Sequence, residues 1–211
     1  MKKPKVLGIF CHPDDEILAG FPAFQNPNIE RHLVILCSDR ARKGPNRRRA
    51  LEEVCKQENI TLQYCADFDN NFYALPTRRA NVTLSDVCGQ INEIISICVD
   101  KLEPDYIMTH NPVGEYGHGS HRLLFELVSQ HPLAENVIFT DICQKSNHRS
   151  HDEIPRSVRE AYYRKRFDQE LYNLDDDFYS WTKAVYDKYS AWTWDFPPIE
   201  RASLFIINEK S

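Results

Sequence analysis

The sequence predicts an α/β chain: a doubly wound, mostly parallel sheet of five or six strands with helices on both faces, followed by a helical C-terminal extension. Two observations point there. Short apolar runs alternate along the chain with longer stretches whose apolar residues recur at the helical period, the signature of βαβ units. The first run, Val6-Leu7-Gly8-Ile9-Phe10-Cys11, carries no charge and ends abruptly in His12-Pro13-Asp14-Asp15-Glu16. A buried strand that delivers an imidazole and three carboxylates at its C-terminal end places chemistry at the rim of such a sheet. The turn also lacks Gly-x-Gly-x-x-Gly and sets acids where a pyrophosphate would sit, which argues against a nucleotide-binding version of the fold.

In chain order, the opening strand covers about residues 5–11. A short helix follows from the Asp14-Asp15 turn with Ile17, Leu18 and Phe21 inward; acids in a first turn suit the helix dipole, and Pro22 and Pro27 keep it short. Leu33-Val34-Ile35-Leu36-Cys37 is a second buried strand. Residues 38–46 form a polar, basic loop, and Asn46 caps a helix to about Asn59 with Ala50, Leu51, Val54 and Cys55 inward. A third strand spans 61–66. An irregular loop, 67–77, carries Phe68, Phe72 and Tyr73. A helix over about 85–101 sets Val87, Ile91, Ile94, Ile95 and Cys98 on one stripe. A fourth strand, 105–109, leads through a loop into a helix over 118–130 with Leu124, Leu127 and Val128 inward, and 136–142 is a fifth strand. Beyond Cys143 come a polar loop with His148 and His151, helical stretches at about 156–172 and 176–191, the second capped by Asp175, and a last strand at 202–207. The whole, 1–211, reads as one domain: a core over about 5–142, with a helical flap and last strand over 143–211.

Composition narrows the function classes. With 42% hydrophobic and 27% charged residues the chain can bury a full core. A formal net charge of -5 argues against general nucleic-acid binding, which needs a basic footprint. No stretch approaches the roughly 20 apolar residues of a membrane span. The N-terminus runs straight into a strand without a signal-peptide apolar region, and the seven cysteines are odd in number with no C-x-x-C pair. Reduced thiols in a cytoplasmic protein are the expectation. The sequence leaves the oligomeric state open.

The chemistry sits in two motifs. His12 and Asp15 are three apart on a tight turn, so both can face one point; a catalytic zinc site wants three protein ligands and an open position. The segment Asn111-Pro112-Val113-Gly114-Glu115-Tyr116-Gly117-His118-Gly119-Ser120-His121 follows the fourth strand and lies at the same rim. His118 and His121 share a helical face, and either completes a two-His, one-carboxylate site. Asp14, adjacent to a ligand yet pointing elsewhere, is then a candidate general base for a metal-activated water. The remaining histidine would stabilise an oxyanion or protonate a leaving amine. Together these parts imply metal-assisted amide hydrolysis.

With His-Pro-Asp-Asp-Glu after a short first strand and Gly-Glu-Tyr-Gly-His-x-x-His far downstream, the sequence resembles the PIG-L/LmbE family of zinc-dependent N-deacetylases over about residues 5–140. The helix opening Arg47-Arg48-Arg49-Ala50-Leu51-Glu52 fits the same resemblance. It implies a Rossmann-like, LmbE-like sheet, a small-molecule N-acetyl sugar or glycoconjugate as substrate, and Zn2+ as cofactor, although Fe2+ would suit the same ligands. Carried onto matching positions, it makes His12, Asp15 and His121 the metal ligands, Asp14 the base and His118 the electrostatic partner and acid. Asp69 stands where family members often carry a substrate-contacting acid. Two departures stand out: Ile17-Leu18-Ala19-Gly20-Phe21-Pro22 replaces a Gly-rich segment, and Ser120 replaces an aspartate thought to tune the neighbouring histidine.

Plainer readings apply to other residues. Arg40, Arg42, Lys43, Arg47, Arg48 and Arg49 form either a solvated basic face or an anion clamp for the substrate, with Arg47 the candidate contact. Asn111, Glu115 and Tyr116 of the second motif join Arg47 and Asp69 as candidate substrate-binding residues. His110, at a strand end, is placed to line the site; Trp192 and Trp194 pack as core or sheet edge, or stack on a sugar. Cys11 points away from its neighbour His12 and belongs to the core. The competing functions are an amidase for a different acyl or thiol-conjugate substrate, and a catalytically degenerate glycan-binding protein.

Overall fold

A computed structural model describes residues 2–37, 44–68, 83–134, 136–142, 168–194 and 201–207. Its strands are β1 Lys5–Phe10, β2 Glu30–Ile35, β3 Thr61–Cys65, β4 Tyr106–Thr109, β5 Val137–Ile142, β6 Asp168–Asn173 and β7 Arg201–Ile207. The helices are α1 Asp15–Leu18, α2 Phe21–Phe24, α3 Gly44–Gln57, α4 Leu84–Leu102, α5 Gly114–Gly117, α6 Gly119–Ser129 and α7 Asp176–Lys188. All seven strands join one sheet in the order β3-β2-β1-β4-β5-β7-β6. β1 to β5 pair in parallel, and β7 runs antiparallel to both β5 and β6.

Alternation along β1 sorts the core into two layers. Val6 and Phe10 face one side, where α1, α2, α3 and α7 contribute Ile17, Phe21, Phe24, Leu51, Val54 and Tyr186. Leu7, Ile9 and Cys11 face the other, against Val87, Ile91 and Ile95 of α4 and Leu124 and Val128 of α6. Gly8 lies in the strand because Phe24 packs on it: a Cβ there would sit 2.5 Å from the Phe24 ring. The helices start where their caps allow. Thr83 and Asp86 form a reciprocal capping box on α4, and Asp175 accepts the Phe178 N–H at 2.8 Å at the start of α7.

Two expectations change. Among the described residues the sheet has seven strands, not five or six, because 168–173, expected as the end of a helix, is β6. Gln, Glu and Leu in that stretch favour a helix locally, but the ladder from Asp168↔Ile206 to Asn173↔Arg201 overrides propensity. The single short helix after β1 is two separate turns, with Pro22 in the first positions of the second. The first of the two C-terminal helices, apart from its end at β6, falls outside the described residues, as do Asp69, the loop at 69–82, His148 and His151. Among the described residues no helix is long and apolar enough to cross a membrane, and the six described cysteines are free thiols.

From β1 the chain moves outward to β2 and β3, and then returns to β4 on the other side of β1. The C-terminal ends of β1 and β4 therefore flank a topological switch point, where open α/β sheets place their sites.

Candidate active site

The turn after β1 is tight and strained. Asp14 has φ 96°, a conformation non-glycine residues rarely adopt. The Asp15 side chain folds back so that Oδ2 accepts the His12 N–H at 2.7 Å. Across the crevice, α6 begins at Gly119 and brings His121 inward. Three donor atoms converge: His12 Nδ1 lies 3.0 Å from His121 Nε2 and 3.3 Å from Asp15 Oδ2, and His121 Nε2 lies 3.6 Å from Asp15 Oδ2. A tetrahedral ion with bonds of about 2.0–2.1 Å separates its ligands by about 3.3 Å, so this triangle fits such an ion. All three residues are buried, and His12 Nε2 has no hydrogen-bond partner among the described residues. His118 brings a further ring nitrogen within 4.8 Å of those of His12 and His121, so a three-histidine set is also within reach.

The charges suit a cation. Burial alone would raise the Asp15 pKa, but His121, His110 and His12 hold it well below the usual carboxylate range. Burial, then His110, pushes His121 down to about 4, which leaves it neutral and free to coordinate. Burial, followed by His121 and His12, pushes His118 down to about 3, so it too is uncharged. Cys11 Sγ also lies near His110 and His121, but burial drives the thiol pKa well up, which disfavours the thiolate a metal would require.

Asp14 is 3% exposed, with both oxygens engaged. Oδ1 accepts from Arg47 Nη2 at 2.9 Å, and Oδ2 accepts from Thr193 Oγ at 2.7 Å. Burial raises its pKa, against the pull of Arg47 and Thr193. Glu16, fully buried, accepts the Asp14 N–H at 2.9 Å and the Tyr186 hydroxyl at 2.7 Å, and burial pushes it up to about 8.

The structure thus brings together His12, Asp14, Asp15, His118 and His121. It turns Arg47 inward against Asp14 and the Pro13 carbonyl, while Arg48 stays on the surface, paired with Glu52 at 3.0 Å. Asn111 is fully buried. Its amide bonds the Thr140 carbonyl at 3.1 Å, and its Oδ1 accepts the Val113 and Glu115 N–H groups. Glu115 sits beneath His121, with Oε2 2.6 Å from His121 Nδ1 and 3.1 Å from His110 Nδ1; burial opposes its charge, but the two histidines hold its pKa at about 2. Tyr116 lies on α5, its side chain outside the described atoms, and Asp69 is outside them altogether. Trp194 is core, and Trp192 packs edge-on against Tyr179 and Tyr186. Sequence reasoning missed Thr193 and Tyr186. They reach the first turn from 179 and 170 positions away, and nothing in their local pattern marks them.

No family model matches the sequence, and no curated protein sequence matches it. Solved structures do match the fold. One is a deacetylase in complex with teicoplanin from the teicoplanin biosynthesis pathway, at TM-score 0.65 and 13% identity, covering 99% of this chain and 100% of that one. Another is Dbv21, the deacetylase of the A40926 pseudoaglycone, at TM-score 0.64 and 12% identity, covering 99% of both chains. A third is the zinc-inhibited form of the teicoplanin deacetylase Orf2, at TM-score 0.61 and 12% identity, covering 96% of this chain and 97% of that one. At these identities the likeness shows a shared fold.

Proposed function

We propose that the chain is a metal-dependent hydrolase that removes the acetyl group from an N-acetylated sugar or glycoconjugate. The observation that carries this reading is the convergence of His12 Nδ1, His121 Nε2 and Asp15 Oδ2 beside the buried Asp14. The fold shared with deacetylases over nearly the whole chain supports it.

His12, Asp15 and His121 would hold the ion, with zinc the expected metal and ferrous iron compatible with the same donors. Such an ion, when bound, polarises an amide carbonyl and acidifies a water. Asp14 takes the proton from the attacking water onto its carboxylate and returns it to the leaving nitrogen. Its environment suits both halves of that task, since burial raises its affinity for a proton while Arg47 favours the ionised form at rest. Burial, His121 and His12 leave His118 uncharged, so in place of the acid role that the resemblance implies it acts as a neutral N–H donor toward the oxygen that gains charge as the carbonyl is attacked. Arg47 and Thr193 fix the direction of the Asp14 carboxylate.

The test is release of primary amine and acetate from N-acetylglucosamine derivatives by the zinc-loaded protein. Asp14→Asn is expected to cost about 10²–10⁴-fold in rate, as for loss of a general base, with zinc content unchanged. Full activity of that variant refutes the base assignment. No amine release across a panel of N-acetyl sugars refutes the deacetylase reading itself.

A further inference from the structure

We propose that Glu115 and His110 are positioning residues for the metal-facing histidine. Glu115 holds His121 in the tautomer that turns the Nε2 lone pair toward His12 and Asp15, and His110 in turn holds Glu115. The proposal rests on the reading of His121 as a metal ligand.

The proton positions follow from which groups can donate. A backbone N–H only donates, and that of Cys11 meets His110 Nε2 at 2.9 Å. His110 therefore carries its proton on Nδ1, which lies 3.1 Å from Glu115 Oε2. The other oxygen, Oε1, accepts the Asn111 N–H at 3.1 Å. With N–H donors at both oxygens, Glu115 is the acceptor throughout. The nitrogen of His121 facing Oε2 at 2.6 Å, Nδ1, is then the protonated one. Nε2 is left bare, and it is the atom 3.0 Å from His12 Nδ1 and 3.6 Å from Asp15 Oδ2.

Packing and backbone both support this arrangement. The His110 and His121 rings stack with centroids 3.7 Å apart and planes 11° from parallel, and Phe10 meets His110 edge-on. His110 is fully buried and His121 1% exposed, so neither ring has room to flip. Gly114 and Glu115 are both left-handed, at φ 70° and 53°, which is uncommon for glutamate. A Cβ on Gly114 would lie 2.8 Å from Arg122 Cγ. This left-handed backbone, uncommon only at Glu115, directs Glu115 inward, and Asn111 Oδ1 pins its N–H at 2.9 Å. Metal-bound histidines commonly lean on a carboxylate that sets their tautomer and basicity. Ser120, next to His121, offers no charge, and Glu115 supplies one from six positions earlier.

¹⁵N NMR of the imidazoles in the metal-free full chain reads the tautomers directly. His121 is expected with its proton on Nδ1 and Nε2 bare, and His110 with a proton on Nδ1; a proton on His121 Nε2 overturns the proposal. Glu115→Gln tests the consequence, because one amide cannot accept at both ends. The expected result is loss of the single His121 tautomer, an altered Co²⁺ absorption spectrum, and a zinc dissociation constant raised about 10–100-fold. Wild-type zinc affinity with an unchanged His121 tautomer in that variant overturns the proposal. Should the Gln variant fail to fold, the wild-type spectrum and Glu115→Asp carry the test, the shorter carboxylate being expected to bind zinc more weakly than the wild type and wild-type affinity overturning the proposal. A wild type that shows these tautomers and a Gln-sensitive zinc site but deacetylates nothing refutes the proposed activity and upholds the positioning role. An active wild type whose Gln variant binds zinc equally well does the reverse.

Discussion

The two turns that make the site are held in opposite ways. The turn after β4 is largely self-contained: Asn111, Glu115, His110 and His121 bond one another within a single stretch of chain. The turn after β1 is held from a distance. Arg47 reaches Asp14 from 33 positions away, Tyr186 reaches Glu16 from 170, and Thr193 reaches Asp14 from 179. The local turn fixes His121, the proposed metal donor, and the remote contacts aim Asp14, the proposed base. The C-terminal extension therefore reaches the candidate site through Tyr186 and Thr193, and the proposed role of Asp14 depends on that extension being folded.

The largest effect should come from breaking the remote half at its buried ion pair. Arg47→Met keeps the apolar stem but leaves Asp14 buried without its cation. Removing one partner of a buried pair costs about 3–5 kcal/mol. The loss should depend on pH with a definite sign. Arg47 lowers a pKa that burial raises, so without it Asp14 binds a proton more tightly in the folded state. Destabilisation is then greatest near neutral pH and shrinks on acidification, as Asp14 becomes neutral. Denaturant melts of both proteins at several pH values check this. A pH-independent deficit would mean that Arg47 acts by packing alone and that the first turn is not held electrostatically.

The contrast also explains what the sequence could reveal. The convergence of His12, Asp15, His118 and His121 was legible because its spacing is local: His12 and Asp15 lie three apart, and so do His118 and His121, each pair after an apolar strand. The parallel core and the switch point were legible for the same reason, since periodicity is local. β6 was not, because its residues favour a helix and only pairing with β7 makes them a strand. Arg47 looked like one cation in a basic surface run, and only the fold turns it inward while Arg48 stays in solvent. Asn111 and Glu115 read from sequence as substrate contacts; in the structure Asn111 bonds the Thr140 carbonyl and the turn's own N–H groups, and Glu115 faces His110 and His121, partners that no local pattern announces.

A smaller effect lies at Glu16, the other remote anchor. Burial pushes its pKa up to about 8 from an ordinary 4.5, so in the metal-free protein the fold retains a proton that the unfolded chain releases. Stability from this group is full below about pH 4.5 and is lost as pH rises through about 8, on the order of 2–4 kcal/mol across the window. Glu16→Gln stays neutral; its amide oxygen can accept the Asp14 N–H while its NH2 donates to the Tyr186 hydroxyl oxygen, reversing that bond, so its stability should be flat where the wild type declines. Thermal melts of both metal-free proteins from pH 5 to 9 make the comparison. A wild type that gains stability across that range contradicts the assignment.

The smallest effect is expected at Thr193, and it is the most discriminating between the two halves. Thr193 is exposed and gives Asp14 Oδ2 one hydrogen bond at 2.7 Å. Thr193→Val keeps the side-chain shape and removes the donor, so stability should fall by only about 0.5–1.5 kcal/mol. The same bond lowers the Asp14 pKa, so its loss should move the acidic limb of the rate profile to higher pH and reduce kcat several-fold, with zinc affinity unchanged. Glu115→Gln should show the opposite split, with weakened zinc binding and no shift of that limb. If Thr193→Val instead weakened zinc binding, the two turns would be mechanically coupled. If it left kcat and the pH profile untouched, the C-terminal segment would act on the first turn through Tyr186 and Glu16 alone.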